Sequence, residues 1–184
     1  MVKVSSGRDA PFARGFPPVA SRDARVLILG SLPGEKSIEM QQYYAQHRNA
    51  FWRILGELCG AGPQLPYAAR LRKLRACGIA LWDVLAAGER RGSLDSAIVT
   101  STIEVNDFHS FFALHRGIRL VCFNGRKAAD LYRRYVLPTL PSAAAELDAR
   151  LLPSTSPAHA ARSFEQKLAL WAEALRGHIG GRVD

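Results

Sequence analysis

The sequence predicts an α/β protein built on a parallel sheet. Two observations carry this: short apolar runs alternate with amphipathic stretches along the chain, and four of those runs end in small or polar residues. Arg25-Val-Leu-Ile-Leu-Gly30 reads as a buried first strand closed by glycine. Asn49–Cys59 has helical spacing at Phe51, Trp52, Leu55 and Leu58, and Tyr67–Ala76 reads as a second helix with Leu71 and Leu74 inward. Gly78-Ile-Ala-Leu-Trp-Asp83 is the second strand, while Ser93–Thr102 shows no clear period. Asn106-Asp107 caps a helix over Phe108–His115. Ile118–Phe123 is the third strand, Gly125–Tyr135 a helix stopped near Pro138, and Arg150-Leu-Leu152 a short fourth strand. Ser163 and Gln166 have the spacing of a capping box for a last helix ending near Leu175.

No repeat or inter-domain linker interrupts this pattern. Residues 22–184 are expected to form one domain, preceded by a flexible arm over residues 1–21. No stretch approaches the roughly 18 apolar residues of a membrane span, and Met1–Pro18 lacks the apolar segment of a secretory signal. An intracellular monomer is expected.

Lysine and arginine number 25 against 16 acidic residues, a net charge of +9. That balance suits a polyanion, because neutralised phosphates release condensed counterions. Arg70, Arg72, Arg75, Arg90, Arg91, Arg133 and Arg134 are candidates to grip phosphates; a merely soluble basic protein is the plain alternative. Cys59, Cys77 and Cys122 form no C-x-x-C pair and are too few for a four-thiolate cluster. The five histidines lack zinc-site spacing. No metal and no cofactor are expected.

Gly30-Ser31, Trp82-Asp83, Phe123-Asn124-Gly125 and Pro153-Ser154 all fall just beyond strand ends. At that edge of an open parallel sheet ligands bind, so four loops should converge on one crevice. In Gly30-Ser-Leu-Pro-Gly34 the glycines permit close backbone approach to a ligand, and Ser31 is its polar side chain. Asn49 is either a helix cap or a polar group of the site. Phe51 and Trp52 are adjacent on one helix, so one can line a pocket where an aromatic face stacks a base. Asp83 is a cap, an ion-pair partner, or a carboxylate that binds base edges or orients water; Asn124 is a turn cap or a ligand-facing amide. Leu152-Pro-Ser-Thr-Ser-Pro-Ala-His159 is a stiff, hydroxyl-rich loop suited to holding phosphates.

These segments resemble the hypoxanthine-DNA (deoxyinosine) glycosylase branch of the uracil-DNA glycosylase superfamily, a neighbour of the mismatch-specific uracil/thymine branch. Gly78–Val84, Gly92-Ser-Leu-Asp95, Asn106-Asp-Phe108 and Phe123-Asn-Gly125 extend the likeness over Arg25–Leu175. The resemblance implies a three-layer α/β/α fold around a four-stranded, mostly parallel sheet. It also implies a monofunctional enzyme that flips a deaminated base from DNA and hydrolyses its glycosidic bond. Phe51 matches the position that stacks on the base in mismatch-specific relatives. Leu32 stands where relatives carry a water-positioning Asn or Asp, and Leu152 where uracil-specific ones carry a His; the hypoxanthine branch lacks both. Asn49 is then the first candidate to position water or hold the base, Asp83 the second, with Ser31 beside them. Phe51, Gly30 and Asn124 fall on the base. Ser154, Thr155 and Ser156 pinch phosphates, and Pro157-Ala-His159 presses into the vacated space. Lys36, the lysine nearest the site in sequence, makes no convincing nucleophile.

Overall fold

The computed structural model describes residues 11–180. Four strands form an all-parallel sheet: β2 (Val26–Gly30), β3 (Ile79–Asp83), β6 (Leu120–Asn124) and β7 (Asp148–Leu152), in the order β3-β2-β6-β7. These are the four strands expected from sequence, with ends shifted by one or two residues. Alternate side chains leave a strand on opposite faces. Val26 and Ile28 therefore enter one apolar layer with Phe51, Leu55, Leu74 and Trp171, while Leu27 and Leu29 enter another with Trp82, Phe108, Phe111 and Tyr132. Two apolar layers on one sheet make the architecture three-layered.

The first layer is closed by α2 (Phe51–Cys59), α3 (Tyr67–Ala76) and α7 (Phe164–Leu175). The second is closed by α4 (Phe108–Leu114) and α5 (Arg126–Leu131), which runs on through a wider π turn at Tyr132–Val136. Caps fall where the sequence places them. Asp107 accepts from Ser110 N, and Ser163 and Gln166 form a reciprocal capping box. Short helices α1 (Glu35–Met40) and α6 (Ser142–Ala145) sit in the connections.

A second sheet was not foreseen. β1 (Phe12–Arg14), β4 (Leu85–Glu89) and β5 (Glu104–Val105) pair antiparallel in the order β1-β4-β5. This corrects the expected arm for residues 11–21; residues 1–10 lie outside the described residues. Val19 exchanges backbone hydrogen bonds with Leu81 at 2.9 and 2.8 Å, and Trp82 Nε1 donates to Phe16 O at 3.0 Å. The physical reason is that β3 is an edge of the main sheet, and this segment covers its unpaired backbone groups.

The strand order changes direction between β2 and β6. In doubly wound sheets the connections diverge at such a point and leave a crevice beyond the carboxyl ends of the strands. Gly30 stands beside Asp83, and Asn124 beside Leu152, at that edge.

Candidate active site

A cavity of about 340 Å³ opens over this edge. Its floor and walls come from Gly30–Gly34 at the end of β2, Asp83 ending β3, Asn124 ending β6 and Ser154–His159 after β7, joined by Tyr43, Tyr44 and Asn49 from the segment before α2. The four loops thus meet as the sequence implied.

Gly30 is required by close approach. A Cβ there would collide with Asp83 Oδ1 and stand 3.0 Å from the Tyr44 hydroxyl. Asp83 is 4% exposed, and its Oδ2 is buried with no hydrogen-bond partner among the described residues. Burial pushes its pKa up to about 7, with Asp95 adding to the rise and Arg90 opposing it. Asp83 is thus neither the helix cap nor the ion-pair partner that its strand-end position also allowed.

The loop Gly30–Gly34 is fastened from outside by Arg90. This side chain, 2% exposed, donates to the carbonyls of Leu32 (3.1 Å), Pro33 and Gly92 (2.9 Å). Arg90 is therefore an internal clamp and the countercharge to the two aspartates, which corrects its reading as a phosphate grip. Ser31 Oγ donates to Asp95 Oδ1 at 2.5 Å, so its hydroxyl proton is committed within the loop. Leu32, at the expected water-holding position, is 5% exposed and packs in the apolar layer.

Phe51 does not reach the cavity. It is fully buried, edge-on to Trp52 and Trp171, and one of its faces is covered by Tyr44 with ring centroids 4.0 Å apart and planes 19° from parallel. The aromatic residues that border the cavity are Tyr43, 3% exposed, and the more open Tyr44, both of which the sequence reading passed over. The Tyr44 hydroxyl is buried and makes no hydrogen bond of ordinary length among the described residues; burial and the neighbouring Asp83 hold the phenol well above its usual pKa, against a smaller opposing pull from the Asn124 side chain. Tyr44 adopts φ +54°, a left-handed conformation costly for a side chain of this size. The flanking backbone holds it there: Trp52 Nε1 donates to Tyr43 O at 2.8 Å, and Tyr43 N donates to the Tyr67 hydroxyl at 3.0 Å.

Asn49 combines its two sequence readings. Its Oδ1 accepts from Phe51 N at 3.0 Å, capping α2, while the residue borders the cavity and its amide nitrogen has no partner among the described residues. Asn124 and Thr155 form a closed pair: Asn124 Nδ2 donates to Thr155 Oγ1 and Thr155 N donates to Asn124 Oδ1, both at 2.9 Å. Thr155 is 1% exposed and its carbonyl accepts from Ala50 N at 3.0 Å. Its hydroxyl is therefore held inside, which corrects its place among the phosphate contacts. Gly125 has φ +98°, and a Cβ there would press on Ser154 Cβ at 3.0 Å. Ser154 and Ser156 use their oxygens to accept from Ser156 N and Ala158 N, at 3.2 and 3.3 Å, which leaves each hydroxyl proton free to donate. His159 is exposed at the cavity mouth, and its carbonyl accepts from the buried Lys167 at 2.8 Å. Lys36 borders the cavity but pairs with Glu39 at 3.0 Å.

Among the described residues no group of three or more His, Cys, Asp or Glu side chains is placed to hold a metal ion, and no helix is long and apolar enough to cross a membrane.

Fold and site together define an α/β/α domain with its ligand cavity at the switch point of the sheet. The chain belongs to the uracil DNA glycosylase superfamily, which residues 17–176 match. It is 38% identical to a Methanosarcina barkeri protein named hypoxanthine DNA glycosylase over 164 residues, 89% of this chain and 98% of that one. A Methanosarcina acetivorans protein of the same name is 46% identical over 118 residues, 64% of this chain and 73% of that protein. The solution NMR structure of a protein from Methanosarcina acetivorans, described as a candidate uracil DNA glycosylase, superposes with a TM-score of 0.71 at 36% identity, covering 89% of this chain and 99% of that one.

Proposed function

We propose that this protein is a monofunctional DNA glycosylase that draws a deaminated base, hypoxanthine foremost, into the cavity and hydrolyses its glycosidic bond, leaving an abasic site. The observation that carries the reading is the pair of polar side chains at the cavity floor beside Gly30: Asp83, whose Oδ1 lies against Gly30 and whose Oδ2 is buried without a partner, and Tyr44, whose hydroxyl faces the same glycine. Unpaired buried groups are costly, and a base edge satisfies them. The names of the relatives point to the same substrate.

Glycosidic cleavage builds positive charge on the sugar and negative charge on the departing base. Hypoxanthine offers an O6 acceptor beside an N1–H donor. A carboxyl with its pKa near 7 is largely neutral in mildly acidic solution, and in that form its Oδ1, beside Gly30, donates to O6. The donated bond strengthens as charge reaches O6, the situation in which a pre-placed donor lowers a barrier. Tyr44 stacks the base, with Phe51 supporting it from behind. Asn49 holds the water or the sugar-side edge of the base through its free amide. Ser154, Ser156 and His159 meet the phosphates, with Thr155 and Asn124 setting the loop from beneath. Ser31 and Asp95 act on the shape and charge of the pocket. Lys36, the one lysine among the described residues that borders the cavity, is paired to Glu39, which favours water over an amine as the nucleophile. The described residues that line the cavity come from one chain, which supports the monomer as the acting unit, and a DNA substrate supports action inside the cell.

Release of free base from inosine- and uracil-containing oligonucleotides tests the reading, repeated with Asn49→Ala and Asp83→Ala. Faster hypoxanthine release, lost in both variants, is expected. Dominant uracil release would replace hypoxanthine as substrate, and a borohydride-trapped adduct would replace water as nucleophile.

A further inference from the structure

Lys167, on α7, is 6% exposed, and its ammonium donates to His159 O at 2.8 Å. That carbonyl is its one hydrogen-bond partner among the described residues, and no acidic side chain there pairs with it. An ammonium has three protons to give, so two are left unused. Burying a charge without a countercharge is costly, and burial lowers the pKa of this amine. A tie to one carbonyl needs only a neutral donor, so His159 O does not account for the charge. The ammonium reaches the connection from β7 to α7, where residues 157–163 are all exposed. The surface around this stretch is basic. Arg162 lies within it, and the exposed Arg53 of α2 stacks on Phe164, 4.0 Å from the ring centroid. Glu165, the nearest acid along the chain, accepts from Ser163 Oγ at 2.8 Å instead.

We propose that Lys167 is a DNA-binding residue whose ammonium neutralises one backbone phosphate resting on residues 157–163. The ligand is a phosphodiester because this stretch leads away from His159 at the cavity mouth, where a strand with its base in the cavity has to pass. The net charge of +9 brings such a polyanion to the protein. An ammonium is a compact point charge that needs no planar fork, so it can act on a phosphate while keeping its bond to His159 O. Ser154 and Ser156 meet the strand on the cavity side of His159. Lys167 extends that track on the other side, towards the start of α7. The arriving phosphate supplies the countercharge that the folded chain withholds, so the cost of burying the ammonium is recovered on binding. The inference rests on the glycosylase reading for its choice of DNA as the polyanion.

The test measures affinity for an inosine-containing duplex by fluorescence anisotropy between about 50 and 200 mM salt, for the unmodified chain, Lys167→Met and Lys167→Arg. Lys167→Met is expected to lower the slope of log affinity against log salt by about one. It should weaken binding by about tenfold at the lowest salt, with the loss shrinking as salt rises. Lys167→Arg keeps the charge and should keep the slope. If the methionine variant does not fold, Lys167→Gln takes its place, since it retains a donor for His159 O and drops only the charge. A weaker affinity with an unchanged slope would make Lys167 a tie for the connection alone and overturn the phosphate contact, as would unchanged binding. Salt-dependent binding without base release by the unmodified chain, from either inosine or uracil substrates, would overturn the glycosylase reading, while the slope would still decide on Lys167.

Discussion

The Tyr44 ring lies flat on Phe51, with centroids 4.0 Å apart, and this places Tyr44 rather than Phe51 against the cavity. The two residues therefore have separable effects. Phe51→Ala removes a fully buried ring and should destabilise the fold by about 3–5 kcal/mol. Tyr44→Ala, at a partly exposed position, should lower stability far less and slow base release by about 100-fold. Tyr44→Phe keeps the ring and isolates the hydroxyl. Denaturant unfolding and single-turnover release, measured on all three, check the division. Equal activity in Tyr44→Ala and the unmodified chain would remove Tyr44 from the site.

Asp83 gives a signed pH dependence. Its folded pKa, about 7, lies above the unfolded value of 3.8, so the folded state binds the proton more tightly. Its contribution to stability is then fully present below pH 3.8, declines as pH rises between the two values, and is flat above about 7. Asp83→Asn mimics the neutral acid and abolishes this decline. The variant should be more stable above pH 7, by at most about 4 kcal/mol, and the advantage should shrink on acidification. Base release by the unmodified chain should fall as pH rises through about 7, and Asp83→Asn should flatten that limb. Unfolding and release rates between pH 5 and 9 check both signs; release that climbs through pH 7 would make the carboxylate the active form.

Much of this was legible in the sequence because period and punctuation decide it. The strands at Val26–Gly30 and Ile79–Asp83 are continuous apolar runs closed by a glycine or an acid, and Ser163 with Gln166 has local capping geometry. The second sheet was hidden for the opposite reason. Leu85–Glu89 is rich in alanine and glycine, and Glu104–Val105 is two residues long, so neither has a readable period. Their pairing depends on residues far apart in the chain. At the site, helical spacing identified Phe51 as inward-facing but did not tell the core, where it lies, from the cavity, where it was expected to stack the base. Tyr44 sits in an irregular segment with φ +54°, where no periodicity applies. Arg90 looked like surface charge because sequence carries no sign of three carbonyls converging on one guanidinium.

Arg90 should accordingly behave as a core residue. Arg90→Met leaves the carbonyls of Leu32, Pro33 and Gly92 without their donor and removes the positive charge that moderates Asp83. A loss of about 3–5 kcal/mol is expected, the range for breaking a buried charged network. In the surviving folded fraction the pH limb of base release should move upward, since Arg90 lowers the pKa of Asp83. A phosphate-gripping arginine would instead weaken DNA binding and its salt dependence with little effect on stability. Unfolding curves and salt titrations of DNA affinity distinguish the two roles.

The Asn124–Thr155 pair is the joint through which the Ser154–His159 loop is set relative to the cavity. Thr155 bonds Asn124 through both backbone and side chain, and its carbonyl receives Ala50 N next to the cap of α2. One residue therefore links the ends of β6 and β7 to the segment that carries Asn49 into α2. Thr155→Val preserves volume but strands the buried Asn124 amide, at a cost of about 1–3 kcal/mol. Asn124→Ala removes both bonds and should cost somewhat more. Because the phosphate-facing Ser154 and Ser156 flank this joint, both variants should weaken DNA affinity without changing the number of phosphates neutralised. The salt slope of binding should then stay constant while the affinity falls. A slope reduced by about one would place the Thr155 hydroxyl on a phosphate instead.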